Sequence, residues 1–358
     1  MSRRTIIAGI SVAAALAVTA PASAQFYEHK TLNFLVNYAA GGTTDVEGRI
    51  FARHLGKHLK GSPTIVVVNK PGAGGLVGVN YLGSGAVKAD GLMVCFCVLN
   101  VIAPIVGDPA LKVKYDDFIY IGGSAQSMVA YGRRDIPPGI KKPADIARAE
   151  RVFAAGYNPS TPQDVRTNIA LQLLGAKFRM VTGFRSANDA MKSVGQNETN
   201  FTSTTVPGFM TMVTPNLVAN GMAMPYFYYP VTKPGGGFDR IALLEKQGVK
   251  SFGEVYKEVF GKPPSGPKWE AMLLVNDLST LMLRAMLLPK GSPPQAVTEL
   301  RAGVAALGKD EAFLKDYERV NALPPEMVSA EQGQDVLARL KTVKPEVVGV
   351  LKAVSGIK

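Results

Sequence analysis

The residues with the clearest chemical potential are 38–49, YAAGGTTDVEGR, which follow the apolar run LNFLVN. Thr44 and Glu47 have the spacing of a capping box, which predicts a helix that begins immediately after Gly41 and Gly42. Backbone amides at a helix start, helped by the positive end of the helix dipole, bind phosphate, sulfate or carboxylate, and glycine lets the anion approach closely. The alternative is an ordinary strand-to-helix turn in which the cap satisfies itself.

A second glycine-rich turn lies in TIVVVNKPGAGGLVGVNYL, which reads as a strand, a turn at residues 71–75 and a helix. Two parallel strands that each deliver a helix start to one rim strengthen the prediction of an anion site. Gly72 and Gly74 also begin a dinucleotide fingerprint, but Val77 stands at its third position and Asp90, the acid at the right distance, lies in the turn KADG. We therefore expect no nucleotide cofactor.

The remaining reactive residues form weaker patterns. His54 and His58 lie one helical turn apart in HLGKH, but a catalytic metal needs a third ligand and an open position, so we expect a partly exposed helix face. Cys95 and Cys97 share one side of a predicted buried strand, where neighbours seldom form a good disulfide, so we expect free thiols. No G-x-S-x-G motif and no nucleophile with a credible base is present. The sequence indicates neither an enzyme nor a cofactor.

Composition and charge narrow the class of protein. The 358 residues, 47% hydrophobic and 19% charged, predict a folded protein of two domains. Arg3 and Arg4, the apolar run at 6–20 and Ala22-Ser23-Ala24 form a cleavable signal peptide, residues 1–24, which directs the chain to the periplasm. The net charge is +12, or +10 without the signal. Because the basic residues are scattered without an aromatic-basic motif, small carboxylates or an acidic membrane partner fit better than nucleic acid.

The order of predicted elements indicates an α/β fold. Strands LNFLVN, TIVVVN and LMVCFCV alternate with helices at about 45–59 and 74–85, which predicts a mostly parallel sheet with ligands at the carboxyl ends of its strands. A second α/β stretch begins near Ser127. Its predicted strands are RVFAAGYN, FRMVTGF and TNFTST, with helices at about 162–174 and 187–194, and the chain is helical by pattern from Pro294.

Four runs, in this order and spacing, carry a family resemblance: NYAAGGTTD, VVVNKPGAGGLVGVNYL, KADGL and AAGYNPSTPQDVRTNIALQLLGAKFRMVTGFRSANDAM. They resemble the substrate-binding proteins of tripartite tricarboxylate transporters, the Bug/TctC family. The resemblance implies a two-lobed type II periplasmic binding protein fold, with helices on both faces of mostly parallel sheets. The implied lobes are residues 25–126 with 279–358, and residues 127–278, with crossings near 124–129 and 278–283.

The resemblance also implies a function and a site. Such a protein, expected to be a monomer, captures a small organic carboxylate between its lobes and hands it to transporter membrane subunits. The implied ligand-binding residues are Tyr38, Gly41, Gly42, Thr43, Thr44, Asp45, Gly72, Ala73, Gly74, Gly156, Tyr157, Asn158, Ser160, Thr161, Gly183, Arg185 and Thr204. Arg185 is either the partner of a distal carboxylate or a solvated surface charge.

Two departures from the family pattern bear on the ligand. Thr204 stands where many relatives have an acid facing the pocket, which disfavours a ligand with an amino group. Tyr157 makes its loop bulkier and can stack on a flat ligand. Two other classes of function remain open: an exported protein that presents its closed state to a sensor without transport, and an exported metal-dependent hydrolase.

Overall fold

The computed structural model describes residues 25–233 and 235–357, so the predicted signal peptide lies outside the described residues. The strands are β1 (Thr31–Val36), β2 (Thr64–Asn69), β3 (Met93–Cys97), β4 (Phe118–Ala125), β5 (Met128–Arg133), β6 (Val152–Ala155), β7 (Phe178–Val181), β8 (Phe201–Thr205), β9 (Ala223–Tyr228), β10 (Arg284–Pro289) and β11 (Glu326–Val328). They form two sheets, with strand orders β11-β4-β10-β3-β1-β2 and β7-β6-β8-β5-β9.

The α-helices are α1 (Thr43–Leu55), α2 (Leu76–Gly83), α3 (Ile102–Val106), α4 (Pro162–Leu173), α5 (Ala187–Gly195), α6 (Val206–Gly208), α7 (Ala242–Glu245), α8 (Phe252–Phe260), α9 (Pro267–Leu281), α10 (Pro294–Leu307), α11 (Glu311–Asn321), α12 (Ala330–Arg339) and α13 (Pro345–Ser355). A π-helix spans Phe209–Val218. None of the helices in the described ranges is both long enough and apolar enough to span a bilayer.

The strand pairing confirms the α/β class but corrects the predicted mostly parallel sheets. The pairs β1–β2, β1–β3, β6–β7 and β6–β8 are parallel, as the alternating pattern predicted. Strands β10 and β11 join the first sheet antiparallel, and β5 pairs antiparallel with β8 and β9. Both sheets are therefore mixed, because each contains strands that the chain reaches through a long-range return rather than a βαβ crossover.

Most predicted elements lie within a few residues of the observed ones. Helix α2 begins at Leu76 rather than near residue 74, because Gly74 and Gly75 have φ of +62° and +93°, a left-handed conformation that a right-handed helix cannot include. The predicted helical C-terminal region contains four helices, interrupted by β11. The helix predicted at 45–59 ends at Leu55 and continues as a 3₁₀ turn, Gly56–His58.

Cys95 and Cys97 form a disulfide, so the prediction of free thiols was wrong. Their side chains project from the same face of β3, and their Cα atoms lie 5.5 Å apart, a separation that a disulfide can span. Both residues are completely buried in the core of the first sheet.

The chain passes between the two sheets at two places. Gln126 and Ser127 connect β4 of the first sheet to β5 of the second, and Met282 and Leu283 connect α9 to β10 of the first sheet. A buried polar cluster braces both passages. The Glu47 carboxylate accepts hydrogen bonds from Nη2 (2.8 Å) and Nε (3.0 Å) of Arg284, from Gln126 Nε2 (2.7 Å) and from the Tyr317 hydroxyl (3.0 Å).

Candidate functional site

A cleft lies between the two sheets, and the junction between two domains is a preferred position for small-molecule sites. Its walls come from loops that follow strands of both sheets. The lining residues are Tyr38, Gly42, Thr43, Thr44, Gly74, Val98, Leu99, Asn100, Met128, Tyr157, Thr161, Pro162, Gln163, Arg166, Ser186, Ala187, Thr204, Thr205, Ser279, Leu283 and Arg284.

The start of α1 opens into this cleft without a side-chain cap. Gly42 is the N-cap residue, with extended backbone angles (φ −79°, ψ 167°), and no side chain accepts from the first amides of the helix. The amides of Thr43 and Thr44 donate to no atom of the described residues. These amides and the positive end of the helix dipole can therefore bind an anion in the cleft.

The predicted capping box between Thr44 and Glu47 was wrong. Thr44 is the second residue of the helix rather than its cap, and the Glu47 carboxylate turns into the protein, where it pairs with Arg284. Both side chains of the pair are 1% exposed, so the ion pair, rather than a helix cap, satisfies Glu47. The error leaves the helix start where the sequence predicted it, but with its amides free.

Asp45 does not line the cleft but holds the loop before α1 through hydrogen bonds. Its Oδ2 accepts hydrogen bonds from the Gly41 amide and from Arg49 Nε, both at 2.9 Å, and its Oδ1 accepts from Asn69 Nδ2 at 2.8 Å. Burial raises the pKa of Asp45, but these three hydrogen bonds together lower it by more than burial raises it. The pKa of Asp45 is therefore below its usual value. An ionised Asp45 thus fixes the Gly41 turn, and Arg49 neutralises its charge.

Gly74 is the cleft residue of the second glycine-rich turn. A Cβ at this position would collide with the Thr161 side chain, which comes from the loop before α4. Its φ of +62° also favours glycine, and its carbonyl accepts a hydrogen bond from the Tyr38 hydroxyl at 3.2 Å. Glycine is thus required here for close contact between loops of the two sheets.

The start of α4 contrasts with that of α1 because its own side chains cap it. Thr161 Oγ1 accepts from the Asp164 amide at 3.3 Å and donates to the Asn158 carbonyl at 2.9 Å. The buried Asp164 carboxylate accepts from the Tyr157 amide at 2.9 Å. Burial raises the pKa of Asp164 to about 7 against the pull of its hydrogen bonds. A Cβ on Gly156 would collide with this carboxylate, so the packing against Asp164 requires glycine at position 156.

Two tyrosines face each other across the cleft. The rings of Tyr38 and Tyr157 are 6.0 Å apart between centroids, at an interplanar angle of 76°. Burial raises the pKa of both phenols well above the usual value, so both remain protonated at neutral pH. The two rings bound the cleft with apolar faces while keeping their hydroxyls neutral.

Arg166, on the second turn of α4, is a buried cation in the cleft wall that sequence reasoning missed. It is 2% exposed, and its Nη1 donates to Asn276 Oδ1 (3.2 Å) and Ser279 Oγ (2.9 Å). Its guanidinium lies 4.8 Å from the ring centroid of Tyr229. It pairs with no carboxylate in the part of the chain that the structure describes. Burial lowers the pKa of Arg166 to about 10, which still leaves it charged at neutral pH.

The unsatisfied buried atoms of the cleft wall are hydrogen-bond donors. Asn100 Nδ2, Gln163 Nε2 and Arg166 Nε have no partner among the described residues. The orientation of Asn100 is fixed, because its Oδ1 accepts from the amides of Ile102 (3.0 Å) and Ala103 (3.1 Å). No aspartate or glutamate is among the described lining residues. The cleft therefore presents N–H groups and positive charge, and a ligand must supply the acceptors.

Known proteins match this chain over part of its length in sequence and over almost all of its length in structure. No protein-family model matches the chain. Protein BugT of Bordetella pertussis is 40% identical over 91 residues, 25% of this chain and 26% of that protein. A UPF0065 protein from the gbd 5' region of Cupriavidus necator is 37% identical over 123 residues, 32% of this chain and 35% of that protein. The chain thus matches about a quarter to a third of the length of these curated relatives.

Three solved structures share the fold over almost their whole length. The periplasmic binding protein BugD has a TM-score of 0.65 at 19% identity, over 93% of this chain and 99% of BugD. A TctC solute-binding protein from Polaromonas has a TM-score of 0.56 at 21% identity, over 91% and 99%. MatC from Rhodopseudomonas palustris, solved with bound malate, has a TM-score of 0.62 at 15% identity, over 89% and 98%.

The chain is thus similar to Bug/TctC proteins in part of its sequence and shares their fold over almost its whole length. The predicted two-lobed periplasmic binding protein fold is likewise confirmed. Eight of the residues predicted for a Bug/TctC site line the cleft: Tyr38, Gly42, Thr43, Thr44, Gly74, Tyr157, Thr161 and Thr204. The others do not line it: Gly41, Asp45, Gly72, Ala73, Gly156, Asn158, Ser160, Gly183 and Arg185.

Arg185 and Arg166 differ in exposure and in their position relative to the cleft. Arg185 is exposed, and the cleft lining of its segment begins at the next residue, Ser186, which caps α5 by accepting from the Asp189 amide at 3.1 Å. Arg166 carried a signal that sequence reasoning could have used. It lies four residues before Ala170 and beside Val165, so it places a charge on the apolar stripe of a predicted helix.

None of the three histidines lines the cleft, and each lies beside an acid. His54 Nε2 lies 3.0 Å from Asp316 Oδ2, and His58 Nε2 lies 2.8 Å from Asp310 Oδ2. Within residues 25–233 and 235–357, no group of three or more His, Cys, Asp or Glu side chains could hold a metal ion.

Proposed function

We propose that this protein is a periplasmic receptor that captures an organic carboxylate and delivers it to the membrane subunits of a tripartite tricarboxylate-type transporter. Residues 1–24 would be removed on export. The two lobes would be residues 25–126 with 279–358, and residues 127–278. The observation that carries the proposal is the cleft between them, whose unsatisfied buried groups are N–H donors and whose described lining contains no acid.

In this proposal the first lobe binds one ligand carboxylate at the start of α1. The free amides of Thr43 and Thr44 donate to its oxygens, Gly42 lets it approach the backbone, and the helix dipole favours its charge. Asn100 Nδ2, held in one orientation by its own cap, adds a donor from the same lobe. Asp45 acts indirectly, by fixing the Gly41 turn.

The second lobe completes the site when the lobes close. Tyr157, Thr161 and Thr204 bring an aromatic face and two hydroxyls to the cleft, and none of them carries a charge that would repel a carboxylate. The remaining predicted residues, Gly72, Ala73, Gly156, Asn158, Ser160, Gly183 and Arg185, shape or border the loops rather than contact the ligand. The malate bound to MatC is an anion of the same class.

Closure gives the receptor a signal that membrane subunits can recognise. Ser160 Oγ donates to Asp108 across the lobes, and Tyr38 contacts Tyr157 in the same way. These contacts belong to the closed form. A ligand favours that form only by as much as it binds it more tightly than the open one.

A binding function fits the cleft better than catalysis. The described lining contains hydroxyl groups and two arginines, but no histidine, cysteine, aspartate or glutamate that could serve as general base or activated nucleophile. Arg284, one of the two arginines, is already paired with Glu47. The remaining polar groups orient and hold a ligand.

The experiment that tests the proposal is thermal unfolding of residues 25–358 with a panel of ligands. The panel contains aliphatic di- and tricarboxylates, aromatic carboxylates, amino acids and nucleotides. A ligand at about a hundred times its dissociation constant adds about 2.7 kcal/mol to the free energy of unfolding. We expect carboxylates alone to raise the melting temperature. Stabilisation by nucleotides or by none of the panel would contradict the proposal.

A further inference from the structure

The binding of a single carboxylate at α1 leaves the charge of Arg166 unexplained. Arg166 is on the second lobe, 2% exposed, and has no carboxylate partner among the described residues. Taking a charge out of water is costly unless another charge and further hydrogen bonds compensate for it. Among the described residues, the acceptors of its hydrogen bonds are two neutral side chains, Asn276 and Ser279.

The geometry around Arg166 leaves one edge of its guanidinium available. Both neutral acceptors bind Nη1, and the ring of Tyr229 lies against the guanidinium carbon at 4.8 Å. Stacking and the two hydrogen bonds fix the guanidinium plane, so little freedom is lost when another group binds. Nε has no hydrogen-bond partner within the described ranges, and the hydrogen bonds that Arg166 makes there come from Nη1. An arginine edge of two N–H groups matches the two oxygens of a carboxylate.

Arg284 shows what a structural arginine in the same cleft wall looks like. Its Nε and Nη2 bind the two oxygens of Glu47, and its Nη1 donates to the Leu283 carbonyl at 3.0 Å. The corresponding Nε–Nη2 edge of Arg166 has no such counterion in the described part of the chain. Because the two arginines are equally buried, their different pairing cannot be a matter of solvent exposure.

We propose that Arg166 binds a second carboxylate of the ligand and so makes the cleft select dicarboxylates over monocarboxylates. The inference rests on the proposed function, which places the first carboxylate at the start of α1. The side chains of Val98, Leu99, Met128 and Leu283 line the same cleft and suit the apolar chain between the two charges. Arg166, rather than the exposed Arg185, is then the specificity-determining cation of the second lobe.

Calorimetric titration of residues 25–358 with pairs of acids of equal chain length tests this inference. The pairs are succinate and butyrate, glutarate and pentanoate, and adipate and hexanoate. The variants are Arg166→Met, which removes the charge at similar length, and Arg166→Lys, which keeps the charge but loses the two-pronged edge. Arg185→Ala is the matched control, since it removes a positive charge of the same lobe outside the cleft.

For the wild type we expect at least one diacid to bind about 30-fold or more tightly than its monoacid partner. Arg166→Met should reduce this ratio to about 3-fold or less by weakening the diacid alone, Arg166→Lys should give an intermediate ratio, and Arg185→Ala should leave it unchanged. Thermal unfolding without ligand verifies that each variant is folded. The wild-type ratio needs no variant, so the test survives if Arg166→Met fails to fold.

Failure of the inference and failure of the proposed function give different results. If the wild type binds monoacids as tightly as diacids, or if Arg166→Met weakens both equally, Arg166 does not select a second carboxylate, while the receptor function stands. If Arg185→Ala removes the preference instead, the exposed arginine is the distal contact and the inference is wrong. If neither mono- nor dicarboxylates bind the wild type, the proposed function itself fails, and the inference fails with it.

Discussion

The helices α1 and α4 both begin at the cleft and carry an aspartate at the same position, yet the pKa values of the two aspartates are shifted in opposite directions. Asp45 is the third residue of α1 and Asp164 the third residue of α4, and each accepts a hydrogen bond from a backbone amide of the preceding loop. Asp45 also pairs with Arg49, and its pKa is lowered. Asp164 has no cation among the described residues, and burial raises its pKa to about 7.

The two helices also differ in their first amides and in their nearby arginines: one has free amides and a paired arginine, and the other has a capped start and an unpaired arginine. Helix α1 leaves the amides of Thr43 and Thr44 free, and the nearby Arg284 is neutralised by Glu47. Helix α4 is capped by its own Thr161, and Arg166 on its second turn has no counterion in the described chain. Each lobe thus retains one source of positive potential: a helix dipole in the first and a full charge in the second.

The comparison predicts that the two cleft arginines differ most in their effect on stability. Arg284→Met should lower the free energy of unfolding by about 3–5 kcal/mol, because it leaves the Glu47 carboxylate buried without its cation. Arg166→Met should change it by about 1 kcal/mol or less, because the lost hydrogen bonds are offset by removal of an unpaired buried charge. Urea unfolding without ligand measures both.

The double variant Glu47→Met/Arg284→Met is the control for this prediction. It should recover much of the loss, since it removes both charges together. An equal loss for the two single arginine variants would contradict the distinction between a paired and an unpaired arginine.

The two aspartates should give stability profiles of opposite sign with pH. Between about pH 4 and pH 7, unfolded Asp164 is ionised while the folded form keeps its proton, so wild-type stability falls as pH rises across this window. Asp164→Asn has no such titration, so its free energy of unfolding relative to that of the wild type should rise with pH. The rise should reach up to about 4 kcal/mol above pH 7, since one pKa unit corresponds to about 1.4 kcal/mol. Urea unfolding at several pH values measures the gain.

Asp45→Asn is the matched variant for the lowered pKa. The stability that ionised Asp45 contributes is present above its unfolded pKa and is lost as pH falls through its folded pKa. This variant should therefore be less stable than the wild type at neutral pH, and the difference should shrink in acid. The same direction of change for both variants would show that the two helix starts do not differ in the way described.

The smallest predicted effect concerns ligand affinity at the α1 turn. Gly42→Val should weaken carboxylate binding by about 10-fold or more, because its Cβ would lie 3.6 Å from Ser186 Cβ and 3.3 Å from the Ala39 carbonyl, and the valine methyl groups would fill the approach to the free amides. Calorimetric titration measures the affinity. Gly253→Val in α8 is the control, because a Cβ there meets no atom within 4 Å. Unchanged affinity in Gly42→Val would mean that the loop is only a turn.

The sequence predicted the local parts of this site better than the distant ones. The glycine pair marked the start of α1, although the capping box predicted there was wrong, and apolar periodicity located most strands and helices, because both signals depend on neighbouring residues. The partner of Glu47 could not be found in this way, because Arg284 is far along the chain and reaches it only when β10 returns to the first sheet. The antiparallel strands escaped prediction for the same reason.

The arginine that lines the cleft illustrates the same limit. Arg185 was predicted as a ligand contact because it is a basic side chain in a predicted binding loop, whereas Arg166 lies inside a helix pattern and was not considered. Which of the two arginines lines the cleft depends on how α4 packs against α9. There Asn276 and Ser279 accept hydrogen bonds from Arg166. A charge on an apolar stripe was the available signal.

A crystal structure of residues 25–358 with the dicarboxylate that stabilises the protein most would test the central claim most directly. We expect one carboxylate within hydrogen-bonding distance of the Thr43 and Thr44 amides and the other against the Nε–Nη2 edge of Arg166. A ligand whose carboxylates contact neither the start of α1 nor Arg166 would contradict the account of the two lobes.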